Sequence, residues 1–145
     1  MRKEVVSTID PRKALVYSSG SFLGSQDTNS LSLSGSSLLL DTFSGSYILS
    51  GSWVSIPAYQ PIYSSFSSGY VLGTIPTDTQ LRMILDHQDT ADQILCVFDT
   101  ITDSCNISSL TDSWNWNITL EMETSDPSKT PQIDAVVLMY YPTHQ

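Results

Sequence analysis

Residues 114–123 read W-N-W-N-I-T-L-E-M-E, with Trp114, Trp116, Ile118, Leu120 and Met122 on one side and Asn115, Asn117, Thr119, Glu121 and Glu123 on the other. Five alternations give the two-residue period of a strand with one buried and one wet face. A helix would scatter the same five apolar residues around its cylinder. Such a half-wet strand fits an antiparallel sandwich. The turn formers S-D-P-S-K-T-P follow at 125–131, then I-D-A-V-V-L-M-Y-Y at 133–141. That last strand is apolar on both faces, which predicts a central position or cover by another subunit. Val137 and Met139 join Trp53, Trp114, Trp116, Ile118, Leu120 and Met122 as expected core or interface residues.

Working outward, L-R-M-I-L-D-H (81–87) and Q-I-L-C-V-F-D-T (93–100) predict two more strands joined by a polar hairpin loop. Residues 18–70 hold most of the serines. Leu31, Leu33, Leu38, Leu39, Leu40, Phe43, Tyr47, Ile48 and Trp53 make the segment too apolar for a solvated linker, so short strands with Ser/Gly turns are expected. No segment shows a capped 3.6-residue period, and little helix is expected.

The 145 residues suit one domain. Apolar residues make up 40%, enough for a core, while charged residues reach only 14%, against about 25% in average domains. The net charge of −9 is unevenly spread. Arg2, Lys3, Arg12 and Lys13 outweigh Glu4 and Asp10, whereas residues 14–145 carry only Arg82 and Lys129 against thirteen acids. A small basic arm (1–17) therefore leads an acidic body (18–145). Phosphate binding needs clustered Lys and Arg, so nucleic acid is not an expected partner of that body. No run of about 18 apolar residues is present, so no membrane span is expected. No hydrophobic run suited to a signal peptide opens the chain. Pro11 forbids one helix through the arm. Its basic residues suit an acidic protein surface, and Val5, Val6, Leu15, Val16 and Tyr17 suit burial or addition to a neighbouring sheet.

Catalytic patterns are sparse. A Ser-His-Asp triad would have to use His87, since His144 sits at the chain's end, and no G-x-S-x-G elbow is present. Glu121 and Glu123 share a wet strand face rather than a cleft, unlike a glycosidase pair. Asp86, Asp89, Asp92, Asp99 and Asp103 could line a calcium loop, but their spacing is not that of an EF-hand. No phosphate loop or dinucleotide fingerprint occurs. N-I-S (106–108) and N-I-T (117–119) match glycosylation sequons at a rate chance explains. No enzymatic activity, cofactor or metal is expected. Cys96 and Cys105 fit two small buried thiols, or a cross-strand disulfide about a hairpin turning near Thr100–Ile101. Tyr59, Tyr63, Phe66 and Tyr70 serve as core or interface residues, or, if exposed, as rings that stack on sugars; Trp53 would join them in a sugar site.

Three stretches carry a resemblance: Y-I-L-S-G-S-W-V-S-I-P (47–57), I-P-T-D-T-Q-L-R-M (75–83), and the closing S-L-T-D-S-W-N-W-N-I-T-L-E-M-E-T-S-D-P-S-K-T-P-Q-I-D-A-V-V-L-M-Y-Y (109–141). Over residues 45–141 the chain resembles the jelly-roll (discoidin-like) modules of tailed-phage virion proteins. It departs from their pattern at Asp78, where the family often has Gly, at Asn115–Asn117, and at Ile56, which separates Ser55 from Pro57. The resemblance implies an all-β, antiparallel jelly-roll-like sandwich with an extended N-terminal arm, and a structural role in a virion assembled in the host cytoplasm. A capsid decoration (cement) protein is expected, self-associated as a homotrimer and docked by its arm on the major capsid protein. A tail or baseplate component and a carbohydrate-binding module are the alternatives.

Overall fold

The structure is a computed structural model that describes residues 13–18, 27–55, 64–87, 93–108 and 116–142. Thirteen strands run through these residues, and none of them is helical. In chain order they are β1 (Lys13–Tyr17), β2 (Asp27–Asn29), β3 (Leu31–Ser34), β4 (Ser37–Leu40), β5 (Thr42–Phe43), β6 (Ser46–Tyr47) and β7 (Ser50–Val54). They continue with β8 (Ser64–Thr74), β9 (Thr79–His87), β10 (Gln93–Phe98), β11 (Cys105–Asn106), β12 (Trp116–Thr124) and β13 (Gln132–Pro142).

The first sheet, A, runs β11-β8-β13-β4-β3, with β1 also paired to β13; the second, B, runs β10-β9-β12-β7-β2. All pairings are antiparallel. From β4 onward the chain passes between the sheets in the order β4, β7, β8, then the β9–β10 hairpin, then β11, β12 and β13. The resulting orders, β11-β8-β13-β4 and β10-β9-β12-β7, are those of an eight-stranded jelly roll. The antiparallel sandwich expected from the sequence is the fold observed.

The core lies between the sheets. On β12, Ile118, Leu120 and Met122 are buried; β9 adds Leu81, Met83 and Leu85, and β7 adds Trp53. Sheet A answers with Phe66, Val71, Ile133, Val136, Leu138 and Tyr140. The predicted alternation of β12 therefore holds for its described side chains with one correction: Asn117, expected on the wet face, is buried. Its Nδ2 donates to the Ser55 carbonyl at 2.7 Å, and Ser55 Oγ accepts the Ile118 amide at 2.9 Å, so β7 ends by capping the start of β12. Burial with a backbone partner rules out Asn117 as a surface glycan acceptor.

Phe43 lies in the small β5–β6 hairpin, a short-strand-and-turn element of the kind expected for the Ser-rich segment, and is 77% exposed. Ser44 and Gly45 both have positive φ there (54° and 82°), the geometry of a two-residue type I′ turn.

Cys96 and Cys105 form a disulfide. It does not cross one hairpin: Cys96 lies on the edge strand of sheet B, and Cys105 pairs with Gly69 in sheet A. The bridge thus ties the two sheets at one side of the sandwich. Closing a loop of nine residues restricts the unfolded chain by about 2–3 kcal/mol in the loop-entropy account.

The Pro76–Thr79 turn sets the backbone of Asp78. Thr79 donates its amide to the Pro76 carbonyl at 3.2 Å, and Asp78 takes φ of 68°. Glycine adopts that left-handed backbone freely, and Asp is among the few side chains that tolerate it. Here the Ser125 amide also donates to the Asp78 carbonyl (2.8 Å), and Lys129 Nζ sits 3.4 Å from its carboxylate. These contacts fix the turn to the loop between β12 and β13.

Candidate functional site

The two outer faces of the sandwich differ sharply in chemistry. On sheet B, strand register aligns Val97, Arg82, Glu121 and Ser52 in one row, and Gln80, Glu123 and Ser50 in the next. Arg82 reaches Glu121 through Nε at 3.2 Å and Glu123 through Nη2 at 3.5 Å. Gln80 Nε2 donates to Asp99 at 2.9 Å. Each ion-pair partner is more than a third exposed, so water screens these pairs and they add little stability. Glu121 and Glu123 lie on the outer face, as the sequence predicted. Between the rows and the end of the sandwich lies an open cleft of about 740 Å³, lined by residues that include Thr77, Asp78, Gln80, Asp99, Glu123 and Ser125.

Asp99 and Asp103, considered above for calcium, form a closed local motif. Asp103 Oδ2 accepts the amides of Asp99 (2.9 Å) and Thr100 (3.1 Å), and those bonds lower its pKa. Asp126 is lowered similarly by the Ser128 amide and hydroxyl. Both carboxylates already serve as turn acceptors. No group of three metal-ligating side chains occurs among the described residues. Asp86 is the next-to-last residue of β9, before His87, while Asp89 and Asp92 lie outside the described residues.

Sheet A presents apolar chemistry outward. Register aligns Val16, Val137 and Tyr70 in one row, Ala14, Met139 and Ser68 in the next, and Ala135 with Leu72 in a third. Val16 is 55% exposed, Leu72 49% and Tyr141 42%, and Tyr70 and Met139 are half-buried. Val137 and Ala135 are buried. The last strand is therefore central, and also apolar on its outward side.

The arm is redrawn by this arrangement. Lys13, Leu15, Val16 and Tyr17 lie on β1, which pairs with β13 of the same chain, Leu15 opposite Leu138 and Tyr17 opposite Val136. Leu15 and Tyr17 pack against the core. The strand expected to add to a neighbour's sheet completes this chain's own sheet, because β4 meets β13 only at Ile133 and leaves its edge at 136–140 open. The boundary expected after residue 17 moves accordingly, with Lys13–Tyr17 belonging to the sandwich. Arg2, Lys3, Val5, Val6 and Arg12 lie outside the described residues, as do Trp114, Tyr59 and Tyr63; Trp116 opens β12 opposite His87. Trp53 is fully buried, which removes it from any sugar platform.

Burial raises the Tyr17 phenol from 10.0 to about 12. A raised pKa means that the neutral phenol's contribution is complete below pH 10.0 and is lost as pH climbs through about 12. Docking of β1 is therefore expected to weaken over that window. Tyrosinate absorbance followed beside hydrogen exchange at Leu138 should show a late-ionising phenol and edge amides that open with it. In the Tyr17→Phe variant the late ionisation should vanish. An unchanged titration in that variant would contradict the assignment.

No protein-family model matches the chain, and no curated protein matches its sequence. Among solved structures, a family two carbohydrate esterase from Cellvibrio japonicus is similar over 92% of this chain, at a TM-score of 0.47 and 9% identity. The chain spans 36% of that structure's length. A likeness at this level bears on neither activity nor substrate. The strand order described above carries the jelly-roll assignment by itself.

Proposed function

We propose that this chain is a non-enzymatic structural protein of a tailed-phage virion, a capsid-decoration subunit that self-associates and docks through its basic N-terminal segment. The observation that carries the reading is the apolar outer face of sheet A on a body that is otherwise acidic. A binding and assembly protein needs such a surface, and a free monomer seldom presents one. The resemblance to phage modules supports it: the resembling stretches 47–57, 75–83 and 109–141 contribute β7, β9, β12 and β13, strands of the jelly roll itself. The basic residues of the docking segment are Arg2, Lys3 and Arg12, ahead of β1. An acidic shell surface would attract them and repel the body, leaving the arm to make first contact.

The test is co-sedimentation of the purified protein with phage particles stripped of it, across a salt series. The full chain should bind, and removal of residues 1–12, which leaves β1 in place, should weaken binding at least tenfold. Binding through the arm should also weaken as salt rises. Failure of the full chain to bind any particle would refute the virion role, and binding indifferent to the deletion would refute arm docking. Labelled protein on the tail instead of the head would establish the tail or baseplate alternative.

A further inference from the structure

We infer that two copies of this chain pack the outer faces of their sheets A against each other about a two-fold axis. The inference rests on the self-association proposed above, with a two-fold pair in place of the expected homotrimer, and names its surface.

Charge is the first argument. Among the described side chains of that face only Asp134 is charged; it lies at one end of β13 and accepts a hydrogen bond from Ser37. Sheet B, by contrast, presents Arg82, Glu121, Glu123 and Asp86. Two copies of a body this acidic repel each other at nearly every mutual orientation. Sheet A against sheet A is the approach that buries almost no charge, so it costs little desolvation and keeps the acids on opposite outer sides.

Size is the second argument. β8 and β13 each run eleven residues. At about 3.3 Å per residue and about 4.8 Å between strands, these two with β1 (five residues) and β3 and β4 (four each) give a face of about 550 Å² before side-chain relief. Stable pairs bury about 800 Å² per partner. Before side-chain relief the face supplies about two thirds of that area, and Val16, Leu72 and Tyr141 are its exposed apolar members.

The other exposed apolar residues make a weaker case. Leu95 and Val97 sit on the single edge strand β10, and Val97 lies directly opposite Arg82. Symmetric packing there would bring the Arg82–Glu121–Glu123 cluster of each copy against its twin.

The test is the mass of the purified full chain by light scattering, over a concentration and salt series, with two variants. Leu72→Glu places a charge on the sheet A face at a half-exposed position, and Val97→Glu places one on sheet B as a control. Circular dichroism and thermal melts of both should match the parent. The parent should run at twice the 16.0 kDa chain mass, with association strengthened by salt as acidic repulsion is screened. L72E should weaken pairing at least a hundredfold, and V97E should leave it unchanged. A monomeric parent at every concentration, or pairing lost in V97E and kept in L72E, overturns the inference. Particle binding by a monomeric parent would leave the virion role standing while this interface falls.

Discussion

Gly73→Ala is expected to destabilise the protein by about 3–5 kcal/mol, among the largest effects a single methyl group can have. Gly73 holds φ at +137°, a backbone region essentially closed to L side chains. An added Cβ would lie 1.9 Å from the Gln132 carbonyl oxygen and 3.1 Å from the Ile133 Cα. Both obstacles are backbone, so no rotamer change relieves them. The strand register of β8 against β13 also shifts here, between Ile133 and Ala135. This bulge lets Ile133 and Val136 both face the core, and Gly73 permits the close approach that makes it. Urea unfolding measures the cost. Gly35→Ala is the comparison: its Cβ would meet nothing within 4 Å, so only the left-handed backbone is penalised, by about 1–2 kcal/mol. A Gly73→Ala cost no greater than that would show that the bulge can relax.

Trp53→Ala is expected to cost about 3–5 kcal/mol, through lost transfer energy and the cavity left behind. Trp53 is fully buried, paired with Leu120 on β12, and the largest fully buried side chain among the described residues. Unfolding free energies of single domains span about 5–15 kcal/mol, so this one truncation would consume a large fraction of the total. The denaturant midpoint should fall with little change in slope. Trp53→Phe, which keeps an aromatic ring, should lose markedly less. A small loss in the alanine variant would mean that the core closes over the cavity.

Much of this architecture could be read from the chain because one rule governs it. Where one face is buried and the other wet, the period of two survives in the sequence, and β12 shows it from Ile118 to Glu123. The turn at 125–131 and the β9–β10 pair were legible for similar reasons, having turn formers or polar residues between apolar runs. Asn117 was not, because its partner is a carbonyl on β7, and no spacing rule reveals a hydrogen bond made 62 residues away. The short strand holding Phe43 was expected, but apolarity alone does not say which side of a two-residue hairpin a ring will occupy. The disulfide was one of two open readings, but its place across the sheets depends on β11 pairing with β8, a two-residue strand too short to carry a pattern. The apolar outer face of sheet A was half visible: β13 showed it as a strand apolar on both sides. The contributions of Val16 and Leu72 appear only once the sheet brings three strands together, and β1 had been assigned to an arm.

The pairing of β1 with β13 has a consequence for how this module can be connected. Lys13 lies opposite Tyr140, antiparallel, so the first described strand begins beside the place where the last one finishes. Chain entering and chain leaving therefore share one pole of the sandwich, while the Pro76–Thr79 turn, bound to the loop after β12, belongs to the other end of the strands. A unit wired in this way can be spliced into a surface loop of a host protein, or closed into a ring by a short linker, without either junction crossing the core.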